Sequence, residues 1–152
     1  IEIATSTICK LYEKFPHICA LKEAGGRSSK VSETICALDD EFIVLSGDDG
    51  LTLPFMSCGA KGVISVASNI IPSLVAKLVR HALDGNYRDA RNIHLKNYKF
   101  FTDIFMEPNP VPIKTLLFLK GMISSSEVRL PLTSASLNNL ELLKEMAGEL
   151  NI

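Results

Sequence analysis

The stretch HICALKEAGG, residues 17–26, begins the alternation of strands and helices from which the fold is predicted. Residues 18–21 have the length and apolar character of a buried strand, and Gly25 and Gly26 then break the chain. Lys22 occupies the position where the next core side chain would be expected. The sequence therefore raises two alternatives for this lysine, a charge that extends into water or an amine with a chemical function.

Two more apolar runs of strand length follow, at residues 42–45 and in GVISVAS at residues 62–68. Helices are predicted around them, first a helix capped by Ser6 or Thr7 and stopped by Pro16. The others span residues 28–38, a short segment ending near Cys58 with Gly59 as terminator, and Pro72 to Gly85. The strands are apolar along their whole length, which is typical of parallel strands covered on both faces. The pattern predicts three β/α units.

The alternation of strands and helices ends at Gly85, and only helices are predicted after it. A long helix is expected over residues 86–106, a nearly all-apolar one over 114–120, and a last one from about Ser134 that carries Leu137, Leu140 and Leu143. The loop EPNPVP between the first two contains three prolines and cannot be helical throughout. We therefore predict two domains, residues 1–85 as β/α units and residues 86–152 as a helical subdomain.

Three parallel strands alone would leave two unpaired sheet edges, which stable proteins avoid. A closed (β/α)8 barrel has no edge, but it typically needs about 250 residues. The chain also opens with Ile1 and enters a helix pattern almost at once. The predicted fold class is therefore α/β, the C-terminal part of a TIM barrel followed by a helical subdomain. The competing open doubly wound sheet usually has a glycine-rich phosphate loop, and none with that spacing is present.

Composition and charge narrow the possible partners. A net charge of -1 over 152 residues gives no electrostatic reason to expect a nucleic acid, and no apolar run approaches the roughly 20 residues that span a bilayer. The four cysteines match no zinc or redox spacing and are predicted to be small core residues in a reducing cytosol. His17, His81 and His94 form no ligand pattern and are expected at the surface or an interface, and Arg129 is expected to be structural.

Lys22 is the strongest candidate for chemistry. In a barrel, alternate side chains point inward and active sites form at the carboxyl ends of the strands, so Lys22 would be the last inward side chain of its strand. An amine in partly apolar surroundings loses hydration of its charged form, and free amine becomes available for Schiff-base formation with a carbonyl. At the next strand end, LSGDDG, Gly47 permits close backbone approach to a small substrate, whereas Asp48 or Asp49 can cap the following helix.

Four segments resemble the dihydrodipicolinate synthase family, which belongs to the pyruvate-dependent aldolase and lyase superfamily. They are ICALKEAGG, VLSGDDGLTLPFMSCGAKGVISVASNIIP, EPNPVPIKTLLFLKGM and VRLPLTSASLNNLELLKEM. The similarity runs in order over nearly the whole chain, and the chain resembles the C-terminal portion of proteins of that family. By position, the resemblance implies that Lys22 forms the imine with pyruvate and that Gly47 and Ile64 line the pyruvate pocket.

The resemblance also implies an activity, the condensation of pyruvate with aspartate semialdehyde to 4-hydroxy-tetrahydrodipicolinate in lysine and diaminopimelate biosynthesis. It implies no metal or organic cofactor, a cytoplasmic location and a homotetramer in the intact protein. The family's proton-relay tyrosines and threonine, and its carboxylate-binding arginine, would precede Ile1, so this chain alone is expected to be nearly inactive. The alternatives are another pyruvate-dependent aldolase, acting on sialic acid or a keto-sugar acid, and a non-catalytic half-barrel that only assembles with a partner.

Overall fold

The structure is a computed structural model that describes residues 2–150. Within these residues the chain is α/β, with seven α-helices and a two-stranded parallel sheet. None of the helices in this range is both long and apolar enough to cross a membrane. The elements in chain order are α1 Thr5–Lys14, β1 Ala20–Glu23, α2 Ser28–Ala37, β2 Ile43–Ser46, α3 Thr52–Ser57, a 3₁₀ turn Ala67–Asn69, α4 Pro72–Leu83, α5 Tyr87–Asp103, α6 Val111–Leu119 and α7 Leu137–Glu149.

The sheet confirms the predicted parallel pairing of the first two strands. Lys22 pairs with Leu45 and Glu23 with Ser46, so side chains at paired positions share a face. Glu23 and Ser46 are buried on the face toward the helices, whereas Lys22 is exposed on the other face. Strand β1 begins and ends two residues later than predicted, and Lys22 therefore lies inside the strand rather than just after it.

The third predicted strand, residues 62–68, is not a strand in the structure. Its pairing with β2 is a single parallel bridge between Ser46 and Val63, where Ser46 N donates to Gly62 O and Ile64 N donates to Ser46 O, both at 2.8 Å. The extended backbone stops after Ile64 because the next residues turn into the 3₁₀ helix. The prediction of three full strands was wrong because the turn depends on a distant carboxylate, described below.

The ends of several helices were predicted correctly from the proline and glycine residues near them. Helix α4 starts at Pro72 and is followed by Gly85, whose φ of 75° is the left-handed conformation that glycine favours. Gly59 follows α3 with a φ of 106°. The first helix was wrong in detail, because its N-cap is Ala4, which makes no side-chain capping bond, and not Ser6 or Thr7.

The last two helices differ from the prediction at their starts. Helix α6 begins at Val111 rather than near residue 114, because a proline in the first turn loses no helical hydrogen bond. Helix α7 begins at Leu137 with Ser136 as N-cap, and the Ser136 side chain accepts from Asn139 N. Of the leucines at helical spacing in α7, Leu143 is buried and Leu137 is 82% exposed.

Two clusters of buried apolar side chains form the core. The first joins the sheet to the helices around it, and the second joins α4 with the helices that follow. Each fully buried large apolar side chain, such as Phe55 in the first cluster or Leu78 in the second, contributes about 1.5–3 kcal/mol. Ala90 of α5 belongs to the first cluster and α4 contributes to both, so core packing crosses residue 85. The domain boundary at residues 85 and 86 stays a prediction.

The cysteines are not core residues, contrary to prediction. Cys19 and Cys36 are exposed, and Cys9 and Cys58 are partly exposed. All four are free thiols in the described structure. Cys9 and Cys36 lie on α1 and α2, and an apolar run in the sequence does not show which face of a helix is covered. Cys58 packs at the margin of the first cluster without being buried.

Glu107 attaches the start of α7 to the rest of the chain, and this attachment is expected to depend on pH. Its Oε1 accepts from Ser136 N and Ser136 Oγ, both at 2.9 Å, and from Asn139 Nδ2 at 2.6 Å. The Ser136 backbone N–H, followed by the Asn139 side chain, lowers the pKa of Glu107. The ionised form is therefore favoured in the folded chain, and its contribution to stability is complete above the ordinary carboxyl pKa of about 4.3.

As the pH falls from about 4.3 through the lowered pKa of Glu107, this contribution is lost. The difference in the free energy of unfolding between the wild type and Glu107→Gln is expected to shrink over that range, because the glutamine side chain does not ionise. Urea unfolding at a series of pH values measures the difference. An equal difference at every pH would contradict the expectation.

Candidate active site

Lys22 lies on the face of the sheet that the helices do not cover. Its strand neighbour on the same face, Ala20, is also exposed, and so is Ile43 on β2. The three ion pairs of residues 2–150 join Arg27 to Glu2, Lys99 to Asp103 and Lys144 to Glu141, so Lys22 belongs to none of them. The described residues leave its amine in contact with solvent.

Gly47 is in close contact with Lys22. Gly47 N donates to Glu23 O at 2.8 Å, which holds the two strand ends together. A Cβ atom at position 47 would lie 3.0 Å from Lys22 Cε and 2.8 Å from Ala24 Cβ. Only glycine leaves room here for the carbon that bears the lysine amine.

Ile64 lies on the same face, on the segment that follows the bridge. The bridge joins Ser46 to Val63, so Gly47 and Ile64 are the next residues along their two segments and are neighbours. The Ile64 side chain is 47% exposed. The three residues proposed from sequence, Lys22, Gly47 and Ile64, thus occupy adjacent segments on one face near the carboxyl ends of the strands.

The two carboxylates of LSGDDG have different partners, although the sequence left their roles open. Asp48 Oδ1 accepts from Leu51 N at 3.2 Å in the turn before α3, whose N-cap is Leu51, so neither carboxylate caps the helix itself. Asp49 is 2% exposed and its carboxylate does not cap that helix. It accepts from Ser65 Oγ, from Val66 N at 2.9 Å and from Ala67 N at 3.1 Å, and so makes the turn that ends the third extended segment.

Two buried charged residues, one on β1 and one on α2, were not predicted from the sequence. Glu23, next to Lys22, is buried and accepts from Gly25 N. Lys30 of α2 is buried and donates from Nζ to Thr5 Oγ1 of α1 at 2.6 Å. Both lie in segments that also contain exposed polar residues. The sequence pattern of these segments does not distinguish a charged residue that is buried from one that is exposed to solvent.

A cavity of about 400 Å³ opens along β1 beside Lys22. It is lined by apolar and polar groups of the strand and the chain before it, including Ile3, Leu21, Glu23 and Gly25. Within residues 2–150, β1 pairs only with β2, so its other edge is free at this cavity. Gly47 and Ile64 are not among its lining residues, so this cavity is separate from the face on which Lys22, Gly47 and Ile64 lie together.

The histidines and Arg129 lie away from this face. His94 is buried in α5, which corrects the prediction of a surface position, and its ring packs against Tyr98 with centroids 5.4 Å apart. Burial lowers the pKa of His94 and favours the neutral ring. His17 and Arg129 are exposed and His81 is partly exposed. In the part of the chain that the structure describes, no three His, Cys, Asp or Glu side chains form a group that could hold a metal ion.

Parallel strands with intervening helices, and polar groups gathered at the strands' carboxyl ends, are the architecture of α/β barrel enzymes. The sequence matches the model of the Dihydrodipicolinate synthetase family over residues 1–149. The chain belongs to this family.

Individual relatives agree with that assignment. The chain is 46% identical over 146 residues to a 4-hydroxy-tetrahydrodipicolinate synthase of Sulfurihydrogenibium sp., a match that covers 96% of this chain and 50% of the relative. The solved structure of dihydrodipicolinate synthase from Aquifex aeolicus superimposes with a TM-score of 0.94 at 44% identity, over 97% of this chain and 50% of that one. The synthase from Methylacidiphilum fumariolicum SolV superimposes with a TM-score of 0.93 at 48% identity, over 97% and 49%.

The chain thus spans about half the length of the relatives it matches. The resemblance found from sequence is confirmed at the level of the family, and the half-length coverage is consistent with a C-terminal portion.

Proposed function

We propose that this chain supplies the imine-forming lysine and part of the pyruvate pocket of a Schiff-base lyase. The proposed reaction condenses pyruvate with aspartate semialdehyde to 4-hydroxy-tetrahydrodipicolinate, in lysine and diaminopimelate biosynthesis. The observation that supports it most is the contact between Gly47 and the Lys22 side chain, 3.0 Å from a virtual Cβ to Cε, beside Ile64 on one face of the sheet.

The chemistry follows from the properties of an amine. The neutral Lys22 amine attacks the keto carbon of pyruvate, and loss of water gives a protonated imine. The imine withdraws electrons from the methyl group, which loses a proton to give an enamine. The enamine carbon attacks the aldehyde carbon of the second substrate. Attack by that substrate's own amine at the imine carbon closes the ring and frees Lys22. The imine is the electron sink, so the proposed reaction needs no metal or organic cofactor.

Gly47 and Ile64 have passive roles in this proposal. Gly47 leaves space next to Lys22 Cε for the keto acid, and Ile64 forms an apolar wall near the pyruvate methyl group. The space beside Cε and the apolar wall are part of the surroundings that a bound keto acid would need. In the described residues Lys22 is exposed, so the remaining strands of a closed barrel would have to complete these surroundings.

The remaining groups of the proposed site would come from outside this chain. The chain alone is therefore expected to be nearly inactive. The proton-relay groups and the carboxylate-binding arginine, assigned by resemblance to the region before Ile1, would come with the remaining strands. Each absent relay group costs roughly 10²–10⁴-fold in rate. The proposed active form is a cytoplasmic homotetramer of the intact protein.

A substrate comparison tests the proposed reaction. The full-length protein that contains this chain is assayed with pyruvate plus aspartate semialdehyde, and separately for cleavage of sialic acid and of a keto-sugar acid. We expect turnover in the first assay only, and little turnover by the 152-residue chain alone. Turnover of a sugar acid without turnover of aspartate semialdehyde would favour the alternative aldolase. Absence of all three activities in the full-length protein would favour the non-catalytic half-barrel.

A further inference from the structure

Asp49 is a buried carboxylate that joins two segments of the proposed site. It lies two residues after Gly47, and its hydrogen-bond donors, Ser65 Oγ and the N–H groups of Val66 and Ala67, begin one residue after Ile64. Ser65 is held in turn, because its Oγ accepts from Ser68 N at 2.7 Å. The carboxylate thus fixes the backbone immediately after Ile64 to the backbone immediately after Gly47.

Local helix capping does not account for this residue. The turn before α3 already uses Asp48, whose Oδ1 accepts from Leu51 N. The partners of Asp49 are 16 to 18 residues away in the chain. Burying a carboxylate costs free energy unless its oxygens are hydrogen-bonded, and the three donors satisfy this requirement from the segment that bears Ile64.

We infer that Asp49 is a positioning residue that holds Ile64 at a fixed distance from Gly47 and Lys22 and thereby limits the size of the keto acid that fits beside the lysine. The inference rests on the proposed function, since it concerns the width of the same pocket. Without the carboxylate, the turn at residues 65–67 loses its anchor. Ile64 is then held from one side only, by the bond from its N–H to Ser46 O, and its side chain can shift outward. A wider pocket binds pyruvate less well and accepts an extra methylene more easily.

The test measures kcat/KM of the full-length protein for pyruvate and for 2-oxobutyrate, which has one more methylene. A pocket that fits one substrate closely can distinguish it from a substrate with one more methylene by roughly 10–200-fold in kcat/KM. We expect Asp49→Ala to lower kcat/KM for pyruvate by about 10²-fold, the cost of a displacement near 1 Å, and to lower the preference for pyruvate over 2-oxobutyrate by about 10-fold.

Two variants separate positioning from general stability. In Asp49→Asn the amide oxygen can accept from Val66 N and Ala67 N while the amide NH₂ donates to Ser65 Oγ, so the preference is expected to match that of the wild type. Glu107→Ala is the matched control, because it also removes a carboxylate that accepts three hydrogen bonds, but outside the site. It is expected to lower stability and to leave the preference for pyruvate unchanged.

The outcomes distinguish this inference from the proposed function. If the wild type forms no borohydride-trapped adduct with pyruvate at Lys22, the proposed function fails. If the wild type is trapped and a folded Asp49→Ala variant keeps the wild-type preference, only the positioning role is overturned. If Asp49→Ala does not fold, Ser65→Ala decides, since it removes one of the three donors. A preference lowered by about 3-fold supports the inference, and an unchanged preference overturns it.

Discussion

Replacing Lys22 with alanine in the full-length protein is expected to lower turnover of pyruvate with aspartate semialdehyde by about 10³-fold or more. The reason is the loss of the covalent intermediate, because β1, residues 20–23, contains no second lysine that could replace it. Lys22 is on the exposed face of β1, whereas Lys30, the nearby lysine of α2, is buried and bonded to Thr5. The measurement is kcat at saturating concentrations of both substrates.

Two further variants make this prediction specific to the amine. Lys22→Arg keeps the positive charge but cannot form an imine, so it is expected to be as inactive as Lys22→Ala. Lys61→Ala removes another exposed lysine, on the neighbouring segment whose backbone N–H donates to Val44 O, and should retain wild-type turnover. Substantial activity in Lys22→Arg would mean that the residue acts as a charge and not as a nucleophile.

The second large effect is expected for Gly47→Ala, which should lower kcat/KM for pyruvate by about 10²-fold. The new Cβ would be 3.0 Å from Lys22 Cε and 2.8 Å from Ala24 Cβ, both closer than ordinary contact. The contact with Ala24 Cβ cannot be relieved by rotating a flexible side chain, so the strand ends must shift, and a displacement of Lys22 by about 1 Å from the reacting geometry is enough for such a loss. Gly47 is not among the glycines of the described residues with positive φ, so the effect is due to contact and not to backbone strain.

Gly148→Ala is the matched control for this substitution. A Cβ at Gly148 would meet nothing within 4 Å, and the residue lies inside helix α7. Alanine is favoured over glycine in a helix by about 0.5–1 kcal/mol, so this variant should be slightly more stable and equally active. Wild-type kcat/KM in Gly47→Ala would show that the close approach to Lys22 is not needed for pyruvate capture.

Much of the fold was predictable from short signals in the sequence. Asn86 caps α5 by accepting from Asp89 N, and Pro72 and Gly85 bracket α4, because each signal acts within one turn of its own helix. The parallel pairing of β1 with β2 followed from fully apolar strands with a helix between them. These features depend on residues that are near one another in the chain.

The errors arose where distant residues decide the outcome. The third strand was predicted too long because Asp49, more than a dozen residues earlier, takes the N–H groups of Val66 and Ala67 for a turn. His94 has the same helical spacing as exposed polar residues of α5, yet it packs against Phe101 with centroids 6.3 Å apart. Periodicity shows which residues share a helix face, and only the packing of other elements shows which face is covered.

The candidate site was predictable only in part, because some of its features depend on residues that are distant in the chain. Lys22 and Gly47 stand out because a lysine and a glycine follow apolar strand positions. Their close packing, in which a Cβ at position 47 would lie 3.0 Å from Lys22 Cε, depends on strand register, and one strand alone does not fix the register. The burial of Glu23 and Asp49 likewise depends on which segments lie beside them.

Everything proposed for this chain requires a carbon–nitrogen bond between one side chain and a keto acid. Sodium borohydride reduction of the full-length protein in the presence of pyruvate, followed by peptide mapping with mass spectrometry, tests for that bond. We predict a single pyruvate-derived adduct on the peptide that contains Lys22, and none in Lys22→Ala. An unmodified Lys22 peptide in a protein that turns over pyruvate, or an adduct on a different lysine, would contradict the account.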